Sequence, residues 1–313
     1  MSGFTVVGLG PVDGSVVGPL LPEGARFAAE PDAADLAAAD AAIVRAAYAV
    51  GAAELERMPN VRVLARTGVG VERIDLDAAT ARGVAVAITP GSGARAVAEG
   101  AFTMAAALVK RTLVSHEFVR SGRWARERPP VPGDLAGATM AVIGFGRIGR
   151  LIAALADAFG MRVLVHDPFV RAEEYENRSL DEALCEADAV SLHIPGGQGT
   201  IVDAGRIARM RPGAVIVNCA RAELVDLDAA ADALEAGRLG GLGLDVFAVE
   251  PPEHHRVFDL ENVLLSPHTT GLSAGATVLT LEMAAAAVSA VLRGEAPAAV
   301  ANPGYAERAG GAA

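Results

Sequence analysis

An arginine, a glutamate and a histidine stand far apart in this chain, each at or just past an apolar run. Arg221 follows Ala214–Val217 in Asn218-Cys219-Ala220-Arg221, Glu250 lies in Asp245-Val246-Phe247-Ala248-Val249-Glu250-Pro251, and His268 closes Leu264-Leu265-Ser266-Pro267-His268. A planar guanidinium can grip a carboxylate with two parallel N–H bonds and touch a neighbouring carbonyl oxygen, which suits a 2-oxo acid better than a lysine would. A carboxylate at hydrogen-bond distance favours imidazolium. Glu250 beside His268 would therefore let the ring give a proton to a ketone as hydride arrives and take it back in the reverse direction. Taken singly, each residue has an ordinary reading as a helix cap or surface ion pair, Arg221 with Glu223 among them.

Hydride chemistry needs a carrier, and Gly144-Phe145-Gly146-Arg147-Ile148-Gly149 is in G-x-G-x-x-G register. Met140–Ile143 before it is fit for a buried strand, and Ile148, Leu151, Ile152 and Leu155 after it repeat at helical spacing. Gly144 would make the turn, Gly146 would let a pyrophosphate reach backbone amides, and Gly149 would let the helix lie close on the strand. A second apolar run, Met161–Val165, leads to Asp167 about 20 residues on, where a carboxylate is wanted for the ribose hydroxyls. Asp167 favours NAD over NADP, since it repels a 2′-phosphate and the nearest following arginine is Arg171. Gly8, Gly10 and Gly14 form a second glycine set whose spacing is one residue too long, and the Pro- and Gly-bearing segment after it does not read as a helix.

These residues must be positioned by strand–helix alternation. In the first part, strands are expected at 4–9, 42–45, 61–65 and 84–87, with helices at 32–39, 51–57 and 76–82. A single long helix is expected over 95–120. Strands then follow at 140–143, 162–166, 188–192, 214–217, 240–244 and 263–265, and a terminal helix at 272–292 is placed back upon the first unit. Alternation of this kind means parallel α/β sheets, whose ligands bind beyond the carboxyl ends of the strands.

At 313 residues two domains are expected. A net charge of −11 argues against nucleic acid as the main partner. Cys185 and Cys219 fall in segments that read as interior, which fits a reducing compartment; the Ala-rich stretches read as too often broken to span a bilayer, so a cytoplasmic protein is expected. His254 and His255 are adjacent with no third ligand at metal spacing and read as solvent-exposed, and nothing asks for a metal. His116 falls in the long helix, and His166 reads as packing.

Together these segments resemble the NAD-dependent D-isomer-specific 2-hydroxyacid dehydrogenases. The likeness runs from Ala42-Ile43-Val44-Arg45 through Ala65-Arg66-Thr67-Gly68-Val69-Gly70-Val71 and Ala96-Val97-Ala98-Glu99 to the Arg221, Glu250 and His268 segments. The resemblance implies two Rossmann-like or flavodoxin-like doubly wound parallel-sheet domains. The NAD-binding one, 96–271, is inserted in the substrate-binding one, 1–95 with 272–313, with a cleft closing on substrate and a homodimer built on the NAD-binding domains. It further implies that Arg221, Glu250 and His268 are the catalytic triad, that Asp245 holds the nicotinamide carboxamide, and that Val69-Gly70 amides meet the substrate carboxylate. The NAD site would comprise Gly144, Gly146, Arg147, Ile148, Gly149, Asp167, Pro168, His193, Ile194, Pro195, Cys219, Ala220, Asp245 and Gly271. Within the family the chain most resembles phosphoglycerate dehydrogenases, in which arginines at the positions of Arg45 and Arg66 grip the substrate phosphate. The implied reaction interconverts 3-phosphoglycerate and 3-phosphohydroxypyruvate, as in serine biosynthesis. Three stretches depart from the pattern: Ala46-Ala47-Tyr48 after the first arginine, Glu72-Arg73, and a loop after Pro195 about two residues short. A glyoxylate or hydroxypyruvate reductase is a second reading, and a non-catalytic NAD-sensing binding protein or corepressor a third.

Overall fold

A computed structural model describes residues 3–309. The chain divides into two units, one made of the residues up to Gly93 together with those from Ala274, the other of Ala94–Ser273.

The first unit holds β1 (Thr5–Leu9), β2 (Arg26–Ala28), β3 (Ala41–Val44), β4 (Val63–Arg66) and β5 (Ala85–Ala87), all parallel in the order β2-β1-β3-β4-β5. Its strands are apolar on both faces, as a sheet covered on both sides requires. Val7, Ala42, Val44 and Leu64 pack with Leu36, Leu55 and Ile74. Val6, Ile43, Val63 and Ala65 pack with Leu281, Ala284, Val288 and Leu292 of the helix Ala274–Leu292.

The second unit holds β6 (Thr139–Ile143), β7 (Arg162–His166), β8 (Glu176–Asn177), β9 (Ala189–Leu192), β10 (Ala214–Asn218), β11 (Leu239–Leu244) and β12 (Val263–Leu265), again all parallel, in the order β12-β11-β10-β9-β6-β7-β8. Counted from β6, that is the dinucleotide-binding order extended by one strand. Met140, Val142, Val215 and Val217 pack on Ala101, Ala105, Leu108 and Ile152. Ala141, Ile143, Ile216 and Leu242 pack on Leu184, Ile207 and Ala230.

Several expectations are corrected. The stretch 95–120 is two helices, Ala94–Val109 and Thr112–Arg120, because Arg111 takes a left-handed backbone (φ 51°) that an α-helix cannot continue through. After Gly10 the chain does coil, into a helix Gly14–Val17 and a 3₁₀ turn Gly18–Leu20, capped by the Asp13 side chain accepting from Ser15 N–H at 2.9 Å. Strands β2 and β8 add to the expected set; at three and two residues on sheet edges they are too short to show as apolar runs. A short helix, Tyr305–Ala309, also follows the terminal helix. Finally, Ala274–Leu292 is long and apolar enough to cross a membrane by length and composition, with 44% of that span buried. Leu281, Ala284, Val288 and Leu292 of this helix pack in the core of the first unit, while Val278 and Leu279 are exposed.

Candidate active site

Because the seven-stranded sheet is parallel, the residues after its strands line one rim, successive strands being about 4.8 Å apart. From β12 inward these are His268, Asp245, Arg221 and His193, then the Gly144 turn of β6 and Asp167 of β7.

The glycine turn is built for close approach. Gly144 has φ 96°, and a Cβ there would stand 2.6 Å from the His193 carbonyl oxygen; one on Gly149 would stand 2.0 Å from the Gly144 carbonyl oxygen. Gly146 differs. It caps the helix Arg147–Ala158 without a side-chain hydrogen bond, and nothing lies within 4 Å of where its Cβ would be. The first-turn amides are thus left for an outside acceptor, with the helix dipole favouring an anion. Arg147 is exposed and Ile148 half-buried there. Asp167 accepts from Phe145 N–H at 2.7 Å, Phe169 N–H at 2.8 Å and Val170 N–H at 3.0 Å. Burial pushes this carboxyl up, but the three amides outweigh it and hold it below the usual range. Pro168 beside it is exposed. Open amides plus an ionised acid on the next strand fit a dinucleotide.

At the other end of the rim, His268 Nδ1 lies 3.0 Å and 2.9 Å from the two Glu250 carboxylate oxygens. Glu250 is itself held by Phe247 N–H at 3.1 Å. His268 takes a left-handed backbone, φ 56°, which costs a residue with a Cβ on the order of 1 kcal/mol or more and persists only where neighbours enforce it. The enforcing group is Asp245. Buried at 2% exposure, it accepts from Thr269 N–H at 2.9 Å, Thr270 N–H at 3.3 Å and the Thr270 hydroxyl. A carboxylate at the end of β11 thereby fixes the loop that aims the imidazole. With Nδ1 turned to Glu250, Nε2 is the ring nitrogen left to meet a reactant.

Arg221 is placed by Asn218, fully buried, whose amide nitrogen donates to the Arg221 carbonyl at 2.8 Å while its oxygen accepts from Ala220 N–H at 3.0 Å. The Arg221 guanidinium donates to the Ala220 carbonyl at 2.8 Å. Cys219, in the same turn, has its thiol pushed up to about 12 by burial and by the Asp245 carboxylate, so it is a neutral thiol. Asn218 lies on the strand-end rim that the sequence points to, but an uncharged residue closing an apolar strand does not announce its role in holding Arg221.

His193 is half-buried. Its Nε2 pairs with Ser191 Oγ at 2.9 Å, its Nδ1 is buried with no hydrogen-bond partner among the described residues, and burial lowers the ring to about 4, so it is neutral. Ile194 is half-buried and Pro195 exposed. Gly271 has Val97 Cγ2 3.3 Å from where its Cβ would be. His255 is half-buried and caps a 3₁₀ turn through Val257 N–H, so only His254 of that pair is exposed. His116 is exposed on the second of the two helices, and His166 Nδ1 lies 3.1 Å from the Arg178 carbonyl. Among the described residues no group of three or more His, Cys, Asp or Glu side chains is placed to hold a metal.

In the first unit Arg45, Arg66, Val69 and Gly70 gather at the carboxyl ends of the paired strands β3 and β4. Arg66 Nε donates to the Gly70 carbonyl at 2.7 Å and Nη1 to the Thr67 carbonyl, so this guanidinium shapes the loop carrying Val69 and Gly70. Arg45 is half-buried, and its side chain meets no hydrogen-bond or ion-pair partner among the described residues. Tyr48 donates to Glu54 at 2.8 Å.

Comparison with known proteins places these sites in context. The family model for the NAD-binding domain of D-isomer specific 2-hydroxyacid dehydrogenases matches residues 102–270. The chain is 39% identical over 255 residues to a D-3-phosphoglycerate dehydrogenase of Mycobacterium leprae, covering 78% of this chain and 48% of that one. It is 34% identical over 277 residues to a glyoxylate reductase of Thermococcus onnurineus, covering 84% and 83%. The chain thus spans about half the length of the curated phosphoglycerate dehydrogenases it matches. Among solved structures, the TT0316 protein of Thermus thermophilus superposes with a TM-score of 0.85 at 32% identity, over 95% of this chain and 99% of that one.

Proposed function

The chain belongs to the D-isomer specific 2-hydroxyacid dehydrogenases, and we propose that it moves a hydride between NAD and a small anionic D-2-hydroxy acid. The observation that carries this reading is the Glu250–His268 pair, held on the same rim as an uncapped glycine turn. NAD, when bound, supplies the hydride acceptor or donor. Arg221 binds the substrate carboxylate and adjoining oxygen by charge-assisted hydrogen bonds. His268 Nε2 holds the proton that passes to or from the substrate oxygen, and Glu250 stabilises the charged ring. Asp245 keeps the Thr269–Thr270 amides, and so the His268 loop, in place, and at the end of β11 it is the carboxylate that holds the nicotinamide carboxamide. Gly144, Gly146 and Gly149 seat the pyrophosphate, and Asp167 takes the ribose hydroxyls.

For the acid itself, 3-phosphoglycerate is the first substrate, which would place the enzyme in serine biosynthesis. The guanidinium of Arg45, half-buried and with no hydrogen-bond or ion-pair partner among the described residues, supports this, as a phosphate would supply one. A second reading, glyoxylate or hydroxypyruvate reduction, is favoured by Arg66, whose fork is already engaged with its own loop carbonyls. The near full-length match to a glyoxylate reductase supports it too. Assembly as a homodimer through the NAD-binding units and a cytoplasmic location, in keeping with two free cysteines, complete the proposal. NADH oxidation at fixed cofactor against phosphohydroxypyruvate, hydroxypyruvate, glyoxylate and pyruvate separates the readings. Phosphohydroxypyruvate is expected to give the highest kcat/KM; no oxidation with any acid, while NADH binds, would leave only a dinucleotide sensor.

A further inference from the structure

The loop after β9 is tied along its length to the turn that carries Arg221. Gly197 N–H donates to Glu223 Oε1 at 2.8 Å. Further on, Ile201 and Val202 N–H donate to the Leu224 carbonyl at 3.0 Å and 2.9 Å, and Asp226 N–H returns a bond to the Val202 carbonyl at 3.0 Å. Gly197 and Gly199, at φ 83° and 66°, hold a backbone that residues with a Cβ rarely adopt. Gly196 is pressed closest: a Cβ there would stand 2.9 Å from Glu223 Oε1 and 3.3 Å from Arg221 Cγ. The near end of the same segment rests on the nucleotide turn, where the His193 carbonyl crowds Gly144. One short stretch therefore leans on the glycine turn at one end and on the methylene stem of Arg221 at the other. The ties at 201, 202 and 226 join backbone to backbone and withstand a side-chain change. The tie at Gly197 depends on a carboxylate.

We propose that Glu223 is a positioning residue for Arg221: by accepting the Gly197 amide it keeps the glycine loop folded against the arginine stem and so sets where the guanidinium stands. The proposal rests on the reading that Arg221 binds the substrate carboxylate. Glu223 reaches no reacting atom itself. Its effect is on geometry, to which a bidentate carboxylate contact is sensitive.

Steady-state kinetics of the full chain with NADH and its best oxo acid test this, using Glu223→Ala, Glu223→Gln, Gly196→Ala and Arg221→Ala. Glu223→Ala is expected to raise KM for the oxo acid about 5- to 20-fold while KM for NADH changes less than about 2-fold. Glu223→Gln keeps an oxygen able to accept from Gly197 and should restore KM to within about 3-fold of the parent. Gly196→Ala, which pushes on the stem directly, should reproduce the Glu223→Ala phenotype. The proposal is overturned if Glu223→Ala leaves the oxo-acid KM unchanged while Arg221→Ala raises it. It is equally overturned if the NADH KM rises in step, the mark of a general loop defect, or if Glu223→Gln behaves like Glu223→Ala. Should Arg221→Ala itself leave the oxo-acid KM untouched, the carboxylate assignment of Arg221 is what fails, and the role of Glu223 falls with it.

Discussion

The two sheets repeat one construction at their switch points and load it with opposite chemistry. In each, a glycine in the left-handed region follows the strand at which the order reverses, Gly10 after β1 and Gly144 after β6, and each crowds the residue that ends the neighbouring strand, Arg45 after β3 and His193 after β9. In the first unit that neighbour is a cation, and the helix that follows is stoppered by its own acid, Asp13, which accepts from Ser15 at 2.9 Å and 2.6 Å. In the second the neighbour is a neutral imidazole, and the helix is left uncapped at Gly146. Three glycines therefore do not make a dinucleotide turn. What decides is whether the first-turn amides are left for a ligand or spent on the chain itself.

The largest expected effect separates a rim that does chemistry from one that only binds. His268→Asn should lower kcat by on the order of 10²–10⁴ with NADH binding retained, the range for loss of general acid–base catalysis; a turnover left intact would mean the second rim is not the reactive one. Next, Gly146→Asp gives the second turn the stopper of the first. Its space is open and an acid is a good cap, so melting should hold or rise while NADH affinity falls roughly 10-fold or more; unchanged affinity, read by fluorescence titration, would put the phosphates elsewhere. In the first unit, Arg45→Ala should raise KM about 10-fold for a phosphorylated oxo acid and leave glyoxylate within about 2-fold. Equal rises would make Arg45 a scaffold residue.

The smallest effect on turnover is visible in stability. His193 is lowered from 6.5 to about 4 in the fold, so as pH falls the unfolded chain takes up the proton first, and stability is lost between those two values. The loss amounts to about 3 kcal/mol at most. Above pH 6.5 this group contributes no pH dependence. His193→Gln should flatten that part of the melting-temperature profile, and a profile identical to the parent would show the ring to be exposed to protons in the fold.

Six of the seven strands of the second unit and its glycine turn were legible because fully buried parallel strands read as short apolar runs, and the residues just after them are the ones the sequence points to for chemistry. What stayed hidden has three causes. The break at Arg111 is a single dihedral choice within an unbroken helical pattern, with no Gly or Pro to announce it. The Asp13 cap sits in a Gly- and Pro-bearing segment whose composition reads as loop and masks an acid at a helix start. The supporting contacts are of two kinds: Asn218 under Arg221 and Ser191 against His193 are uncharged residues that act within two or three positions of their partners, and Asp245 holds the His268 loop across to the next strand, 24 residues on, where no local spacing records it.

Catalysis at this rim requires a 2-oxo acid to sit against two side chains of the second unit, Arg221 and His268. A crystal structure of the protein with NADH and oxamate, an unreactive stand-in for a 2-oxo acid, measures this directly. The Arg221 guanidinium is expected to pair with the oxamate carboxylate and His268 Nε2 to lie within hydrogen-bond distance of its carbonyl oxygen, with Nδ1 still on Glu250. Oxamate bound away from Arg221, or an imidazole turned from it while NADH is in place, would rule out this rim as the site of hydride transfer.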